Sequence, residues 1–448
     1  MDILSLLPEF GGVAMTLIAF VIALSVIVAI HEYGHYIVGR WSGIHAEVFS
    51  LGFGPVLWSG HDKRGTKWQI AALPFGGYVK FLGDANAASG KDGEAMEELA
   101  PEMIRHTMHG APLWARTATV AAGPVFNFIL SILVFGAVML SRGNVAEPLT
   151  VGQMHPLAEQ VQGLQAGDEL LGIAGMEMPG FDDAAGFAAF GAALPHEPVL
   201  EYAVRRDGNE MVVQGPYLYP PYISQLSPQS AAYAIDLRVG DVITSVDGTP
   251  IFAFEQLKER VEGSDGKVLA LTVWRDGQTM DFALAPRRVD EPQDEGGFIT
   301  NWRIGIAGGL AFEPATETPG IGEALKGGVY QTWRIINGSV SGLYHMVTGA
   351  ISSCNMSGPL GIAQVSGQMA SQGAQSFIWF IAVLSAAVGM LNLFPIPILD
   401  GGHLVFYAYE AITGKPPSDG ALKVLMSIGL TLILGLMLFG LGNDLFCR

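Results

Sequence analysis

The stretch His31-Glu32-Tyr33-Gly34-His35 ends a long apolar segment, and the rest of the chain is organised around it. Residues 11–30 contain no charged side chain, and this run is about long enough to cross the hydrocarbon core of a bilayer as a helix. Residues four apart share one face of a helix, so His31 and His35 can present two imidazoles to one metal ion. Glu32 lies about 100° further round the helix and can reach a water molecule at that ion.

This H-E-x-x-H spacing is typical of zinc metalloproteases, in which the glutamate is the general base. The alternative is two helix-end histidines near the lipid headgroups, with the glutamate in solvent. The position at the end of a membrane span favours the metal site, because ionisable groups in a bilayer are costly and usually functional.

A catalytic zinc ion needs a third protein ligand, and the sequence offers Asp400. The apolar run that begins near Ser376 ends in the segment 392–401, Asn-Leu-Phe-Pro-Ile-Pro-Ile-Leu-Asp-Gly. Its two prolines interrupt the helix beside Asp400, and a membrane tolerates irregular backbone only where it lines a protein-enclosed or wet cavity. Taken alone, Asp400 would be interpreted as a turn residue; taken with His31 and His35, it is the candidate third ligand.

H-E-x-x-H in a first span and N-x-x-P-x-P-x-L-D-G in a later one resemble the site-2 protease family. With two central modules described below, the likeness is to the bacterial members that regulate the sigma-E pathway, and it covers nearly the whole chain. The resemblance implies an intramembrane zinc metalloendopeptidase, with Zn²⁺ bound by His31, His35 and Asp400 and with Glu32 as general base. The implied substrates are single-span membrane proteins of the anti-sigma factor type; remnant signal peptides are a further class.

Residues 39–116 predict a β region beside the first span. Two runs, Ile44–Trp58 and Lys67–Phe81, are rich in β-branched and aromatic residues and are interrupted by glycines, as bent hairpin strands would be. In the resembled family such strands fold back into the membrane and pair with an extended substrate; an ordinary cytoplasmic sheet is the alternative. We therefore assign substrate binding to Gly76 and Gly77. The acidic stretch Ala85–Glu102 predicts a loop.

Three residues of the broken later span complete the predicted substrate site. By resemblance, Asn392 orients the substrate or stabilises the oxyanion, and a helix-capping amide is the equal alternative. Pro395 and Pro397 leave nearby carbonyls free to bind an unwound substrate. In the second span, Gly123-Pro124 and Asn127 are similar to the family's G-P-x-x-N, and a packing role between helices is favoured for Asn127.

Composition agrees with a membrane protein that has sizeable soluble parts. Half of the 448 residues are hydrophobic, mean hydropathy is +0.36, and the net charge of −18 argues against nucleic-acid binding. The two cysteines, Cys354 and Cys447, are too few for a disulfide framework, have no zinc-site spacing, and are not expected to pair. Asp2 and Glu9 replace the basic region of a signal peptide, so the first span is expected to be retained.

Residues 141–290 contain an internal repeat. The pattern around Gly167-Asp168 returns around Gly240-Asp241, and both copies resemble PDZ domains, the second more clearly. Such modules add a peptide strand to a sheet edge or, as an equal alternative, exclude bulky substrates from the intramembrane site. The following segment, Ile321–Thr348, has apolar residues at spacings of three and four, which predicts a helix that lies on the membrane or on the modules, or else packs into a soluble core.

The predicted fold is a membrane α-helical protein with four transmembrane helices, a membrane-associated β-hairpin region and two periplasmic PDZ-like α/β modules. Because Lys and Arg are concentrated in residues 39–116, that block is expected to be cytoplasmic, the modules periplasmic, and the active site near the cytoplasmic leaflet of a bacterial inner membrane. The predicted segments are 1–38 (first span), 39–116 (β region), 117–140 (second span), 141–220 and 221–290 (PDZ-like modules), 291–375 (helical region), 376–400 (third span), 401–420 (cytoplasmic loop) and 421–448 (fourth span and tail).

Two other classes of protein remain as alternatives. A non-proteolytic membrane PDZ scaffold would have no need of His31, Glu32, His35 and Asp400 together. A metal transporter usually shows repeated halves of membrane spans, whereas the repeat here lies in the soluble modules. A different membrane zinc protease family would draw its third ligand from a downstream glutamate.

Overall fold

The computed structural model describes residues 7–85, 93–158, 161, 163–180, 183–293 and 297–447. The chain forms two compact units, Met1–Val138 with Ile321–Arg448, and Met139–Gly320. In chain order the helices are α1 Leu7–Trp41, α2 Gly93–Glu97, α3 Pro101–Ile104, α4 Leu113–Arg142, α5 Ala184–Ala193, α6 Ala231–Ala234, α7 Phe254–Glu262, α8 Ile321–Val347, α9 Pro359–Ser371, α10 Ala374–Asn392, α11 Asp400–Thr413 and α12 Asp419–Phe446.

Eighteen strands are found in the described residues. They are β1 Ala46–His61, β2 Lys67–Phe81, β3 Asn144–Val145, β4 Val151–Met154, β5 Glu169–Ile173, β6 Met176–Glu177, β7 Val199–Arg206, β8 Asn209–Pro216, β9 Gln225–Leu226, β10 Val242–Val246, β11 Thr249–Pro250, β12 Leu269–Arg275, β13 Gln278–Leu284, β14 Arg287–Pro292, β15 Phe298–Arg303, β16 Ile306–Ala307, β17 Phe312–Pro314 and β18 Thr316–Glu317.

Four helices of the described chain are long and apolar enough to cross a membrane, as predicted. They are residues 12–41 of α1, α4, α10 and α12. Small residues let the first two approach closely: a Cβ on Gly34 of α1 would lie 2.5 Å from the carbonyl oxygen of Ala122 in α4. Hydroxyls join α4 to α10, since Ser131 donates to the Ala382 carbonyl at 2.8 Å and Ser385 to the Asn127 carbonyl at 2.9 Å. Such contacts are the usual means of packing helices in lipid.

Strands β1 and β2 form the predicted antiparallel hairpin, and each bends so that it pairs twice. Residues 46–51 lie between 77–81 on one side and 67–70 on the other, while 56–61 pair with 67–71. Within the described residues, Gly77, Tyr78 and Val79 therefore pair with a neighbouring strand on one side only. The positive φ of Gly52 and Gly54 permits the bend in β1.

Part of the predicted loop over Ala85–Glu102 is helical. Helix α2 and the beginning of α3 lie within it, and residues 86–92 fall outside the described residues. The predicted cytoplasmic loop 401–420 is also wrong over most of its length, because α11 runs from Asp400 to Thr413 and ends in a left-handed glycine, Gly414.

Helix α8 confirms the predicted amphipathic helix. Ala324, Gly328 and Thr332 are buried at intervals of four residues, and a Cβ on Gly328 would lie 2.3 Å from the Ile132 carbonyl of α4. The predicted apolar stripe is on the outside: Trp333, for instance, is 62% exposed. The alternative in which this stripe packs into a soluble core is therefore wrong.

The two cysteines are paired, contrary to the sequence expectation. Cys354 and Cys447 form a disulfide that joins the end of α12 to the turn before α9. One turn earlier in α12, the buried Asp444 carboxylate accepts the backbone N–H groups of Gly358 and Gly361, both at 2.9 Å. This caps the amino terminus of α9, because the first N–H groups of a helix lack intrahelical partners.

The second unit contains two sheets of the same strand order, β6-β5-β7-β8 and β11-β10-β12-β13. The repeated Gly-Asp pattern has the same role in each. The Asp168 carboxylate accepts hydrogen bonds from Nε and Nη2 of Arg206 at 2.6 and 2.7 Å. The Asp241 carboxylate accepts hydrogen bonds from the same two atoms of Arg275 at the same distances. The repeat seen in the sequence is thus also a repeat of contacts.

The predicted helical region 291–375 is wrong in its first part, which is β-structure up to Glu317. After the hairpin of β14 and β15, three short strands pair with strands that come earlier in the sequence. Strand β16 pairs with β9, β17 with β4 and β18 with β3. Phe312 of β17 is 1% exposed in the core of the first sheet. Residues beyond 290 therefore complete both modules.

Candidate active site

The three predicted ligands come together although 364 residues, 36–399, lie between the second histidine and the aspartate. The Nε2 atoms of His31 and His35 lie 3.2 Å apart, and they lie 3.2 and 3.5 Å from Oδ2 of Asp400. Their side chains are only 12–16% exposed. The helical spacing of α1 sets the two histidines on one face, and Asp400 is the first residue of α11.

The donor set suits a divalent cation. Among the described residues this is the one group of three metal-binding side chains whose ligand atoms all lie within 4.8 Å of one another. Oδ2 of Asp400 is buried without a regular hydrogen bond in the described chain and faces the two imidazole nitrogens. Buried acceptors that converge in this way require a cation or proton between them. Two imidazoles and a carboxylate match the three protein ligands of catalytic zinc sites.

Helix α4 supports the two imidazoles from behind through three residues spaced four apart. The carbonyl oxygen of Thr119 lies 2.9 Å from Nδ1 of His35, and the Asn127 amide lies 3.3 Å from Nδ1 of His31. Between them Gly123 leaves room for both rings. Metal-bound histidines usually hold their second nitrogen in this way, which fixes the tautomer and the ring orientation.

Sequence reasoning missed this support. The packing role favoured for Asn127 holds for its backbone carbonyl, which accepts from Ser385, but its side chain contacts His31. The signal that could have found it is the i, i+4, i+8 spacing of Thr119, Gly123 and Asn127, which places all three on one face of a span.

Glu32 lies beside strand residues 77–79, which pair with a neighbouring strand on one side only in the described chain. The backbone of Val79 hydrogen-bonds with its carboxylate. A Cβ added to Gly77 would lie 3.2 Å from Cγ of Glu32, so the strand backbone passes directly over this side chain. Glu32 thus lies against the strand backbone at Gly77 and lines the same cavity as the three ligand residues.

A cavity of about 1110 Å³ opens onto this site. Glu32, the three ligand residues and segment 77–79 form part of its wall, and the partly buried imidazoles of His109 and His403 form another part. Further along it, Arg116 of α4 makes a two-pronged ion pair with Glu410 of α11, at 2.9 and 2.7 Å. The cavity is large enough for water and an extended segment of peptide.

The predicted substrate residues divide into two groups. Gly77 and Asn392 line the cavity, and the Asn392 amide donates to the Val388 carbonyl of its own helix at 3.1 Å. Gly76 is not among the described lining residues; a Cβ there would meet the ring of Phe53. Pro395 and Pro397 are not among them either.

The two prolines shape the turn that presents Asp400. The carbonyls of Phe394 and Ile396 accept backbone N–H groups within the turn, at 2.7 and 2.8 Å. These two carbonyls are therefore occupied within the turn, and substrate binding at Pro395 and Pro397 stays a prediction. The prolines act through geometry, because they end α10 and allow α11 to start at Asp400.

Comparisons with known proteins indicate the family of the chain. Residues 19–436 match the model of peptidase family M50. The chain is 34% identical to a provisionally named zinc metalloprotease of Agrobacterium fabrum, over 98% of both chains. It is 32% identical to the regulator of sigma-E protease RseP of Salmonella typhimurium, over 97% of this chain and 99% of that relative.

Four candidate membrane helices with a buried two-histidine, one-carboxylate group define the class of membrane metalloproteases. More particularly, the chain belongs to peptidase family M50, the site-2 protease family. It is a zinc metalloprotease, and the predicted Zn²⁺ cofactor is confirmed by these relatives. The alternatives of a non-proteolytic scaffold and of a metal transporter are thereby set aside.

Proposed function

We propose that this protein cleaves single-span membrane proteins within the bilayer, and that His31, His35 and Asp400 bind the zinc ion while Glu32 is the general base. The observation that carries the proposal is the meeting of these four side chains in one cavity, beside strand residues 77–79, which pair on one side only in the described chain. Because this chain is similar to a regulator of sigma-E protease, we propose membrane-bound anti-sigma factors as substrates, with remnant signal peptides as a second class.

The chemistry is divided between the ion and the chain. When bound, zinc polarises the scissile carbonyl and makes water a stronger nucleophile near neutral pH. The Glu32 carboxylate takes the proton from the attacking water and returns it to the amide nitrogen of the leaving strand. The Thr119 carbonyl and the Asn127 amide lie at the Nδ1 atoms of the two imidazoles and orient the rings, so that the Nε2 atoms face Asp400.

A helical substrate must be unwound first, because its amides are bonded within the helix. Residues 77–79 pair with a neighbouring strand on one side only in the described chain, and their other side would accept an extended peptide as a further strand. This would hold the scissile bond over Glu32, since Gly77 and Val79 both lie against that side chain. Asn392, on the cavity wall, is proposed to orient the same segment.

The proposed orientation places the modules in the periplasm and the active site toward the cytoplasmic leaflet of a bacterial inner membrane. Two observations support it. The Lys and Arg residues between 39 and 116 follow the end of α1 that carries the site. The disulfide of Cys354 and Cys447 lies at the opposite end of α12 from Asp419, and disulfides persist in oxidising compartments such as the periplasm.

The two repeated sheets are proposed to be PDZ-like modules that screen substrates. Their shared strand order and their matched aspartate–arginine pairs support a common fold. Peptide capture and steric exclusion make different demands. If the modules capture peptides, a free peptide from the substrate's periplasmic end will inhibit cleavage; if they exclude bulk, enlarging that end will slow cleavage and the peptide will have no effect.

The decisive experiment compares the purified full-length protein with Glu32→Gln on a single-span reporter, with bound zinc measured in both. The proposal expects cleavage inside the span by the wild type, and a variant that keeps its zinc but does not cut. Asp62→Asn is a matched control outside the cavity lining. Equal cutting by wild type and Glu32→Gln would overturn the general-base assignment, and zinc retained by His31→Ala would overturn the ligand set.

A further inference from the structure

We propose that Asn127 is a positioning residue for the metal site, which orients His31 by accepting a hydrogen bond from Nδ1–H through its side-chain oxygen. This inference rests on the proposed function, because it takes His31 to be a metal ligand through Nε2. It assigns to the middle of α4 a chemical role beyond the helix packing that its sequence suggests.

The first observation is the burial and incomplete pairing of this amide. Asn127 is fully buried, its Nδ2 lies 3.3 Å from Nδ1 of His31, and its Oδ1 has no hydrogen-bond partner in the described part of the chain. An amide oxygen buried without a partner is costly. Burying an asparagine in a membrane span therefore calls for a partner that needs it.

The second observation is the direction of the ring. Nε2 of His31 faces Asp400 and His35, so it is the nitrogen that can give its lone pair to the ion. A neutral imidazole that binds through Nε2 carries its proton on Nδ1, where it is a donor. Two donors cannot bond to each other, so the amide must present oxygen to this nitrogen. A 180° rotation of the Asn127 side-chain amide achieves this, because it places Oδ1 instead of Nδ2 next to Nδ1 of His31.

His35 shows the same arrangement with a different acceptor. Its Nδ1 lies 2.9 Å from the backbone carbonyl oxygen of Thr119, two helical turns before Asn127 on α4. A carbonyl oxygen can only accept, so this contact fixes the proton on Nδ1 of His35 and leaves Nε2 free. Helix α4 would thus present one oxygen to each imidazole, from the backbone for His35 and from the Asn127 side chain for His31.

The test uses the full-length protein with Asn127→Leu and Asn127→Asp. Leucine is similar in size but cannot accept, whereas aspartate accepts and cannot donate. We expect zinc affinity, measured by competition with a chelator, to fall about 10- to 100-fold in Asn127→Leu. Asn127→Asp is expected to stay within about threefold of the wild type, because its acceptor is kept.

Cobalt substitution provides a readout of ligand geometry that is independent of activity. The visible absorption bands of the Co²⁺ protein should be altered in Asn127→Leu and preserved in Asn127→Asp. Ser131→Ala, one turn further along α4, removes hydrogen bonds to the backbone carbonyls of Ala382 and Asn127 but leaves the Asn127 side chain, so it should leave both zinc affinity and the cobalt spectrum unchanged. Thermal unfolding of each variant identifies a loss caused by misfolding.

Three results would overturn the inference. They are unchanged zinc affinity in Asn127→Leu, equal losses in the aspartate and leucine variants, or an equal loss in Ser131→Ala. Failure of the proposed function looks different: His31→Ala would then keep its zinc. If His31→Ala loses zinc while Asn127→Leu keeps it, the ligand set stands and only the role of Asn127 fails.

Discussion

The α-carbon of Gly123 faces the imidazole of His35 so closely that a methyl group there would lie 2.3 Å from Nε2. The same methyl group would lie 2.8 Å from Cε1 of His31. The ligand atoms are therefore held in a pocket whose back wall is the bare backbone of α4. The geometry of the site therefore requires residue 123 to be a glycine, because any side chain there would overlap the imidazoles.

Gly123→Ala should displace both imidazoles and weaken zinc binding. A contact of 2.3 Å cannot be accommodated without movement of the rings or of α4, and either movement takes the two nitrogens away from Asp400. We expect at least a 10-fold loss of zinc affinity and loss of reporter cleavage. Gly435→Ala is the matched control, because a Cβ at that position in α12 meets no described atom within 4 Å. Normal zinc content in Gly123→Ala would show that the helices adjust.

Gly77→Ala should separate substrate placement from metal binding. Its Cβ would lie 2.8 Å from the Ser50 carbonyl and 2.9 Å from Val28, so segment 77–81 must move away from Glu32. A shift of about 1 Å in a positioned group can cost up to 100-fold in rate. We expect kcat to fall at least 10-fold with zinc fully retained. Gly60→Ala in the same sheet, 3.5 Å from the Trp58 ring, should cleave normally; an equal loss there would point to general damage to the sheet.

Much of this arrangement could be predicted from the sequence, because local spacing carries it. The histidines of α1 share a face by helical periodicity, and two prolines next to a Leu-Asp-Gly sequence indicate where a span is broken. Contacts between distant elements could not be predicted. The Asn127 contact depends on how closely α4 crosses α1, which the small residues at the crossing permit.

The disulfide was missed for the same reason. Nothing in the sequence near Cys354 or Cys447 shows that the end of α12 returns to the turn before α9. The strands beyond residue 290 are a similar case, since each has only two or three residues and is stable through its pairing with a distant strand. Short strands have little periodicity of their own, so their presence is decided by tertiary contacts.

Removal of the disulfide should lower stability and leave the metal site intact. The double substitution Cys354→Ser with Cys447→Ser frees the unfolded chain from a link across 93 residues. We expect a lower midpoint of thermal unfolding in detergent and an unchanged zinc content. Asp444→Asn should add to the effect, because a neutral amide caps the two N–H groups of α9 more weakly than a carboxylate does. Equal midpoints for the wild type and the double variant would mean that the cap alone holds this region.

Asp168→Asn should destabilise the second unit in a pH-dependent way. Burial raises the pKa of the Asp168 carboxyl, but hydrogen bonds from Arg206 and from the Gln165 backbone outweigh it, so the pKa in the folded protein lies below its ordinary value of 3.8. A carboxyl whose pKa is lowered on folding stabilises the protein above the pKa of the unfolded chain, and this contribution is lost as pH falls through the pKa of the folded protein.

At pH 7 we therefore expect Asp168→Asn to lower the unfolding midpoint of this unit by roughly 3–6 °C, as the loss of one charge-assisted pair would in a unit of this size. The difference from the wild type should shrink as the pH falls below about 4. Asp241→Asn breaks the equivalent pair with Arg275 and serves as the matched variant. Glu210→Gln, at the exposed end of an ion pair with Arg205, should change the midpoint little. If the difference between Asp168→Asn and the wild type did not depend on pH, the negative charge of Asp168 would contribute nothing to stability, and the side chain would act through its shape alone.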